Sequence, residues 1–460
     1  MEQDAWLVKD VGDDINTAYE KYEYFMRPEP FDDLGPIRTI KDELTGRRIK
    51  VRDMKIGMTR NAKEDNKKSI TAYLEPYPHM RIKNAKKLQG WYKSLHESPG
   101  VRARPCFSEA VLTEPYGGWC AVGCAFCYIN SGFRGYRGTG LITVPENYGE
   151  QIKEQLSSMN RAAAGYFSSF TDPFTPLEEY YHNTEEAAKE FVAVGLPIFF
   201  LSRLRYPRWA IDLMKQNPHS YAQKSLNTPD AEDWRRLSPG ALSLDGHLRD
   251  ITRLKRNGIY VSIQCNPIMP GITSNDQIVK LFKMLADAGA DHVIVKFVEA
   301  GYSWAPAMAE RLIRRFGDRG RAFEELFTEN IGGQRTIVES YRMKAHKLYS
   351  TYARKYGLTY ATCYEYEYER NEVGDIINKT GVSIGRKYTT ADQCHGQRVP
   401  VYERSSEGDM FQPIEECPPS GCLYCASENN GEPRCGDELA GQAKALQLVD
   451  LKVPFHEQPV

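Results

Sequence analysis

Between about residues 106 and 300 the chain alternates two kinds of text, and this alternation restricts its fold more than any other feature. Six short runs, Glu109–Thr113, Gly165–Phe170, Pro197–Ser202, Tyr221–Leu226, Tyr260–Asn266 and His292–Glu299, are mostly apolar or β-branched and bounded by Gly, Pro, Asn or Asp, so they read as strands. Amphipathic runs lie among them: Tyr148–Met159, Thr184–Val194, Pro207–Gln216, Ser243–Asn257 and Asn275–Ala288. Repeated strand and helix calls for parallel strands joined by crossover helices. Six such units make an α/β fold, a partial (β/α)6 barrel, with chemistry expected on the loops at the C-terminal ends of the strands. A further helical stretch, Arg335–Tyr356, follows. The chain divides into an N-terminal extension, 1–105, a barrel, 106–385, and a cysteine-rich C-terminal extension, 386–460.

Seven of the eleven cysteines fall in two tight groups. The acidic N-terminus lacks a signal pattern and no apolar run approaches the length of a bilayer, which predicts a cytoplasmic protein with no membrane contact. In a reducing compartment, grouped cysteines bind metals or clusters. The first group reads Cys120-Ala-Val-Gly-Cys124-Ala-Phe-Cys127-Tyr128, directly after the first strand. Three thiolates on one short loop can hold three corners of a [4Fe–4S] cubane and leave the fourth iron open. Gly123 lets the chain bend between them. An open iron can chelate the amine and carboxylate of S-adenosylmethionine, whose one-electron cleavage yields a hydrogen-abstracting 5′-deoxyadenosyl radical. Zinc would call for a fourth ligand nearby. The C-x3-C-x2-C spacing, with an aromatic residue before the last cysteine, is the signature of the radical S-adenosylmethionine superfamily.

The text from 106 to 300 also resembles the spore photoproduct lyase family of these enzymes. The resemblance rests on Tyr166-Phe-Ser-Ser-Phe-Thr-Asp-Pro-Phe-Thr-Pro-Leu-Glu178, Phe199-Phe-Leu-Ser-Arg203, Ser225-Leu-Asn-Thr, Trp234-Arg-Arg-Leu-Ser-Pro-Gly-Ala-Leu-Ser and Asn266-Pro-Ile-Met-Pro-Gly-Ile272. It implies a barrel of the radical S-adenosylmethionine type. It also implies cofactor contacts from Ser168, Ser169, Thr171 and Asp172 after the second strand, Ser202 and Arg203 after the third, Ser225 and Asn227 after the fourth, Asn266 after the fifth, and Tyr128. One position departs: the lyases carry a hydrogen-donating cysteine on the second strand, where Phe170 stands here. Cys265 and Cys363 are the candidate catalytic donors in its place.

The second group, Cys417-Pro-Pro-Ser-Gly-Cys422-Leu-Tyr-Cys425 followed by Cys435, has Cys394-His395 upstream. Four thiolates would close a second [4Fe–4S] cluster or a structural zinc site. Five cysteines compete for four places, Cys394 being the fifth.

Net charge is −1 overall, but it is unevenly spread. Residues 1–45 hold twelve acidic and five basic residues, and residues 46–104 hold sixteen basic and five acidic. The basic stretch, with Tyr73, Tyr77, Trp91 and Tyr92, suits a DNA backbone and base stacking, or else pairs with the acidic segment before it. The resulting expectation is a radical enzyme of lyase or isomerase type, reduced by a flavodoxin or ferredoxin. It would repair or rearrange a modified thymine flipped out of DNA. Modification of a peptide or small molecule is the alternative.

Overall fold

The computed structural model describes residues 35–43, 46–57, 67–85, 88–91, 110–128, 141–159, 161–168, 170–301, 305–331, 334–363, 365–374, 376–383, 388–391, 394–397 and 399–414. Its centre is a sheet whose parallel strands are β1 (Ala110–Thr113), β2 (Ala164–Phe167), β3 (Ile198–Ser202), β4 (Tyr221–Ser225), β5 (Tyr260–Ile268), β6 (His292–Phe297) and β7 (Thr359–Thr362). They lie side by side in chain order, each parallel to the next. All six expected strands are present. Thr359–Thr362 adds a seventh, and Gln89–Trp91 pairs antiparallel with β1 at the opposite edge.

The expected helices are α1 (Tyr148–Ser157), α2 (Asn183–Ala193), α3 (Arg208–Met214), α4 (Leu244–Arg256), α5 (Asn275–Ala288) and α6 (Glu339–Lys355). Local chemistry sets their ends. Ser243 accepts from Gly246 N to start α4, whose last turn carries Arg253, Lys255 and Arg256 against the helix dipole. Ser274 and Gln277 form a reciprocal capping box on α5, and Gly289 ends that helix at φ 95°. Their apolar stripes cover one face of the sheet. Phe191 of α2 meets Phe167 of β2, Phe282 of α5 meets Tyr349 of α6, and Val261, Ile263, Val293 and Val295 are buried beneath. Each such side chain contributes about 1.5–3 kcal/mol on burial. The one charged residue of β4, Lys224, is fully buried on this face and pairs with Asp250 of α4 at 2.9 Å.

Two inserts frame this core. Arg38–Lys41, at the end of the acidic segment, and Arg48–Gly57, Lys67–Tyr73 and His79–Ile82, from the basic stretch, form an antiparallel sheet whose last strand pairs parallel with Ile142–Pro145. After β6, helices Ala305–Phe316 and Asp318–Leu326 are inserted before α6.

The face away from the helices is closed at its lower end by residues 394–397 and Val399. Tyr166, Phe199 and Tyr221 stack in register across β2, β3 and β4, and His395 packs edge-on against Phe199 and Tyr221. Val399 joins the same apolar cluster. His292 of β6 anchors this segment to the sheet, its Nε2 lying 2.8 Å from the carbonyl of Cys394.

Candidate functional site

The cysteine loop leaves β1 at the C-terminal edge of the sheet. Two tight turns shape it: Gly123 N donates to Cys120 O at 3.2 Å and Cys127 N donates to Cys124 O at 3.1 Å. Gly123 sits at φ 61°, where a side chain would be strained. The loop is then held from two sides. On one side, Ala125 N donates to Leu237 O and Gly240 N donates to Val122 O, at 2.8 and 2.9 Å. A Cβ on Gly240 would run into Ala121 O, so only glycine allows that approach. On the other side, Arg311 of the inserted helix, 2% exposed, donates from Nε to Ala125 O at 2.8 Å and from its guanidinium to Cys127 O at 3.2 Å.

Cys120, Cys124 and Cys127 are in no disulfide and are partly exposed. The Cys124 thiol lies 3.3 Å from Ser238 Oγ. Loss of hydration, and then the charges of Asp172, Cys124 and Cys127, push the Cys120 thiol well above its usual value. Among the described residues no three His, Cys, Asp or Glu side chains converge as they would around a single metal ion. Thiolates bound to separate corners of a cubane do not need that convergence. Three thiols on one braced loop therefore fit a cluster with one iron left open.

The strand ends beside the loop hold most of the expected cofactor-binding residues, and the structure divides them into two sets. In the first set the polar atoms are taken up by protein. Asp172 accepts from Ser202 Oγ at 2.9 Å, Arg203 N at 2.7 Å and Phe174 N at 3.0 Å, tying the end of β3 to the segment after β2. Ser202 Oγ also accepts from Leu204 N. Thr171 donates to Tyr116 O at 2.9 Å. In the second set atoms remain open. Ser168 Oγ and Asn227 Oδ1 are buried without a hydrogen-bond partner, while Asn227 Nδ2 donates to Pro267 O. Ser225 stands in register with Gln264 of β5. Arg203 lies over Phe126 of the cysteine loop at 5.0 Å, and its guanidinium reaches Asn266 O at 3.3 Å, bringing three sequence-distant segments together. Tyr128, 37% exposed, meets Phe170 edge-on at 6.3 Å. Ser169 lies outside the described residues.

The two candidate donor cysteines separate. Cys265 is fully buried, in register with Val295 on the helix-covered face, and burial raises its thiol strongly. Cys363 follows β7 on the other face and packs with Ile294, Ala361 and Cys394. Cys394 is thus drawn into the sheet's inner face. Cys417, Cys422, Cys425 and Cys435 lie outside the described residues. An open groove of about 590 Å³, lined by Asp233, Gly271, Ile272 and Arg319 among others, runs beside the segment after β5.

Residue-by-residue reading of the sequence missed Arg311, Ser238 and Gly240 as parts of the site. Ser238 and Gly240 sit within the family-like text beginning at Trp234, which is a usable signal. Arg311 has none, being one arginine among several on its helix.

A parallel α/β sheet with a braced three-thiol loop at its C-terminal edge defines an enzyme class that works through an iron–sulfur cluster. Across 462 aligned residues the chain is 58% identical to the radical SAM Nalpha-GlyT isomerase of Pseudomonas phage M6, covering 98% of this chain and 95% of that relative. The chain belongs to the radical S-adenosylmethionine enzymes, whose cofactors are a [4Fe–4S] cluster and S-adenosylmethionine. Among solved structures it is similar to a spore photoproduct lyase mutant with bound AdoMet and dinucleoside spore photoproduct. That likeness has 16% identity and TM-score 0.44, covering 54% of this chain and 75% of that one. It is also similar to Streptococcus suis SuiB bound to S-adenosylmethionine, at 12% identity and TM-score 0.30, covering 55% and 56%. At such distances neither assigns a residue role or a substrate here. No protein-family model matches the chain. No helix among the described residues is long and apolar enough to cross a membrane.

Proposed function

We propose that this chain is a radical isomerase acting on a glycine joined through its α-nitrogen to a thymine base in DNA. Cys120, Cys124 and Cys127 hold the cluster in this reading. The observation that carries it is the full-length kinship to an enzyme named as an Nalpha-GlyT isomerase. We read the T of that name as thymine, a reading supported by the basic stretch 46–104, with sixteen Lys and Arg against five acidic residues. The same name also fits a peptide bearing glycine and threonine, which is the second reading.

When bound, the cluster and S-adenosylmethionine supply a radical able to take hydrogen from an unactivated carbon. The residues of this chain do the positioning. Arg311 and the Leu237–Gly240 turn brace the cysteine loop, Asp172 locks the end of β3, and Arg203 spans from that loop to the segment after β5. Tyr128, which stays 37% exposed, and Phe170 meet edge-on where the cysteine loop ends. An isomerisation returns to the substrate every atom it began with, so no protein thiol is required as net donor. Phe170 at the position of the lyases' cysteine supports this reaction type, and Cys265 in the core has no part in it. The tail cysteines Cys417, Cys422, Cys425 and Cys435 are proposed to hold a second cluster or zinc. A flavodoxin or ferredoxin is the proposed reductant.

The test is anaerobic incubation of reconstituted protein with S-adenosylmethionine, dithionite, and either DNA containing Nα-glycinylthymine or a Gly-Thr peptide. The expected result is a DNA nucleoside of unchanged mass but altered chromatographic retention, formed only when S-adenosylmethionine and dithionite are both present. An isobaric product from the peptide alone refutes the DNA reading. Formation of the altered nucleoside without S-adenosylmethionine refutes the radical one.

A further inference from the structure

Most buried polar groups at the strand ends are hydrogen-bonded within the protein, as Asp172, Ser202 and Thr171 illustrate. A short row on the inner face of the sheet breaks that pattern. Gln223, 1% exposed, has no partner for either Oε1 or Nε2. Ser262, directly opposite on β5, is fully buried with a free hydroxyl. Gln264, two residues further, has a free Oε1. Buried polar atoms are nearly always paired in native proteins, so three side chains left open side by side on β4 and β5 are waiting for something.

Strand parity says where they point. Side chains alternate across a strand, and the neighbours of Gln223 on β4, Ala222 and Lys224, are buried on the helix-covered face, where Lys224 meets Asp250. Gln223 and Ser262 therefore face inward. Below them the Tyr166, Phe199 and Tyr221 ladder and the segment bearing His395 form a closed floor. Beyond them, toward the strand ends, lie Ser225 and then the cysteine loop. The three side chains of the row are all neutral; Lys296 sits further along β6 and is paired with Glu299 at 3.1 Å.

We infer that this row is a subsite for the edge of a pyrimidine base, with the Gln223 carboxamide reading the base's imide face. A carboxamide offers one acceptor beside one donor. The N3–H and O4 of thymine offer the complementary pair, and a neutral row suits a neutral base edge better than a phosphate or carboxylate. Enzymes that act on a flipped base read its pairing edge in this manner. Ser262 and Gln264 supply further hydroxyl and carbonyl partners for the base or its substituent. This inference rests on the thymine reading above.

The experiment uses the reconstituted full chain and DNA containing Nα-glycinylthymine, compared with the same DNA methylated at N3 of that base. The wild-type enzyme is expected to lose kcat/KM on the methylated DNA by about 5- to 150-fold, the discrimination of one bidentate base contact. Gln223→Met is expected to raise KM on the unmethylated DNA and to respond little to methylation. Iron content and melting temperature report whether that variant folds; the wild-type comparison needs no variant. Equal wild-type turnover of both DNAs overturns the subsite while leaving the DNA reading intact. Turnover of the peptide and of neither DNA overturns the reading itself, and the subsite with it.

Discussion

Replacing Arg311 by methionine tests the claim that the cysteine loop is held from outside its own sequence. Methionine keeps most of the buried volume and removes the donors to Ala125 O and Cys127 O. Hydrogen bonds from a charged group contribute about 1.5–3 kcal/mol each, so losing both costs about 3–6 kcal/mol at most. The loss falls on the loop between Cys124 and Cys127. Every increment of about 1.4 kcal/mol that reaches the bound state weakens iron retention tenfold. Lysine at 311 keeps the charge, but as a compact ammonium it cannot reproduce the planar fork. It is expected to be intermediate. The assay is iron and sulfide per chain after anaerobic reconstitution, followed by the rate of cluster loss to a chelator. The electron paramagnetic resonance signal of the reduced protein is recorded with and without S-adenosylmethionine. Expected are faster loss of iron and an altered signal for Arg311→Met, partly restored in Arg311→Lys. Wild-type chelation kinetics and an unchanged signal in Arg311→Met would refute the reasoning, whatever happens to the melting temperature.

Asp172→Ala leaves Ser202 Oγ, Arg203 N and Phe174 N without their shared acceptor, and chemical denaturation is expected to show a loss of about 2–5 kcal/mol. Gly240→Ala pushes a methyl group into Ala121 O; far-ultraviolet circular dichroism should stay native while the iron content after reconstitution falls. Glu178 gives a pH dependence. Burial raises its carboxyl from 4.5 to about 7, even though Tyr116, Thr184 N and Glu185 N donate to it. The folded chain keeps a proton that the unfolded chain releases between those values. This group's contribution is therefore fully present below pH 4.5 and declines as pH rises through 7, by up to about 3 kcal/mol. His79, lowered by burial to about 4, acts in the opposite sense, so the informative quantity is wild type minus Glu178→Gln across about pH 4–8. A flat difference would refute the assignment.

Much of this protein is legible in its sequence because it is written locally. The strands β1 to β6 and the helices α1 to α6 follow from side-chain period and from end signals such as Ser274, Gln277 and Gly289, all set within a few residues. The spacing of Cys120, Cys124 and Cys127 likewise carries its chemistry on one loop. Strand β7 escaped because Thr359–Thr362 lies past the alternating stretch 106–300, after two inserted helices and α6, and joins the sheet by pairing with β6. The roles of single polar residues were decided by the tertiary structure alone. Asp172, expected at the cofactor, is taken up by Ser202 and Arg203, thirty and thirty-one residues away. Cys265 and Cys363 look alike as text, yet strand parity sends Cys265 into the helix-covered core while Cys363 packs with Ala361 and Cys394 on the other face. Arg311 braces a loop 186 residues earlier in the chain. A hydrogen bond depends on separation in space, and no local pattern encodes which distant carbonyl an arginine will meet.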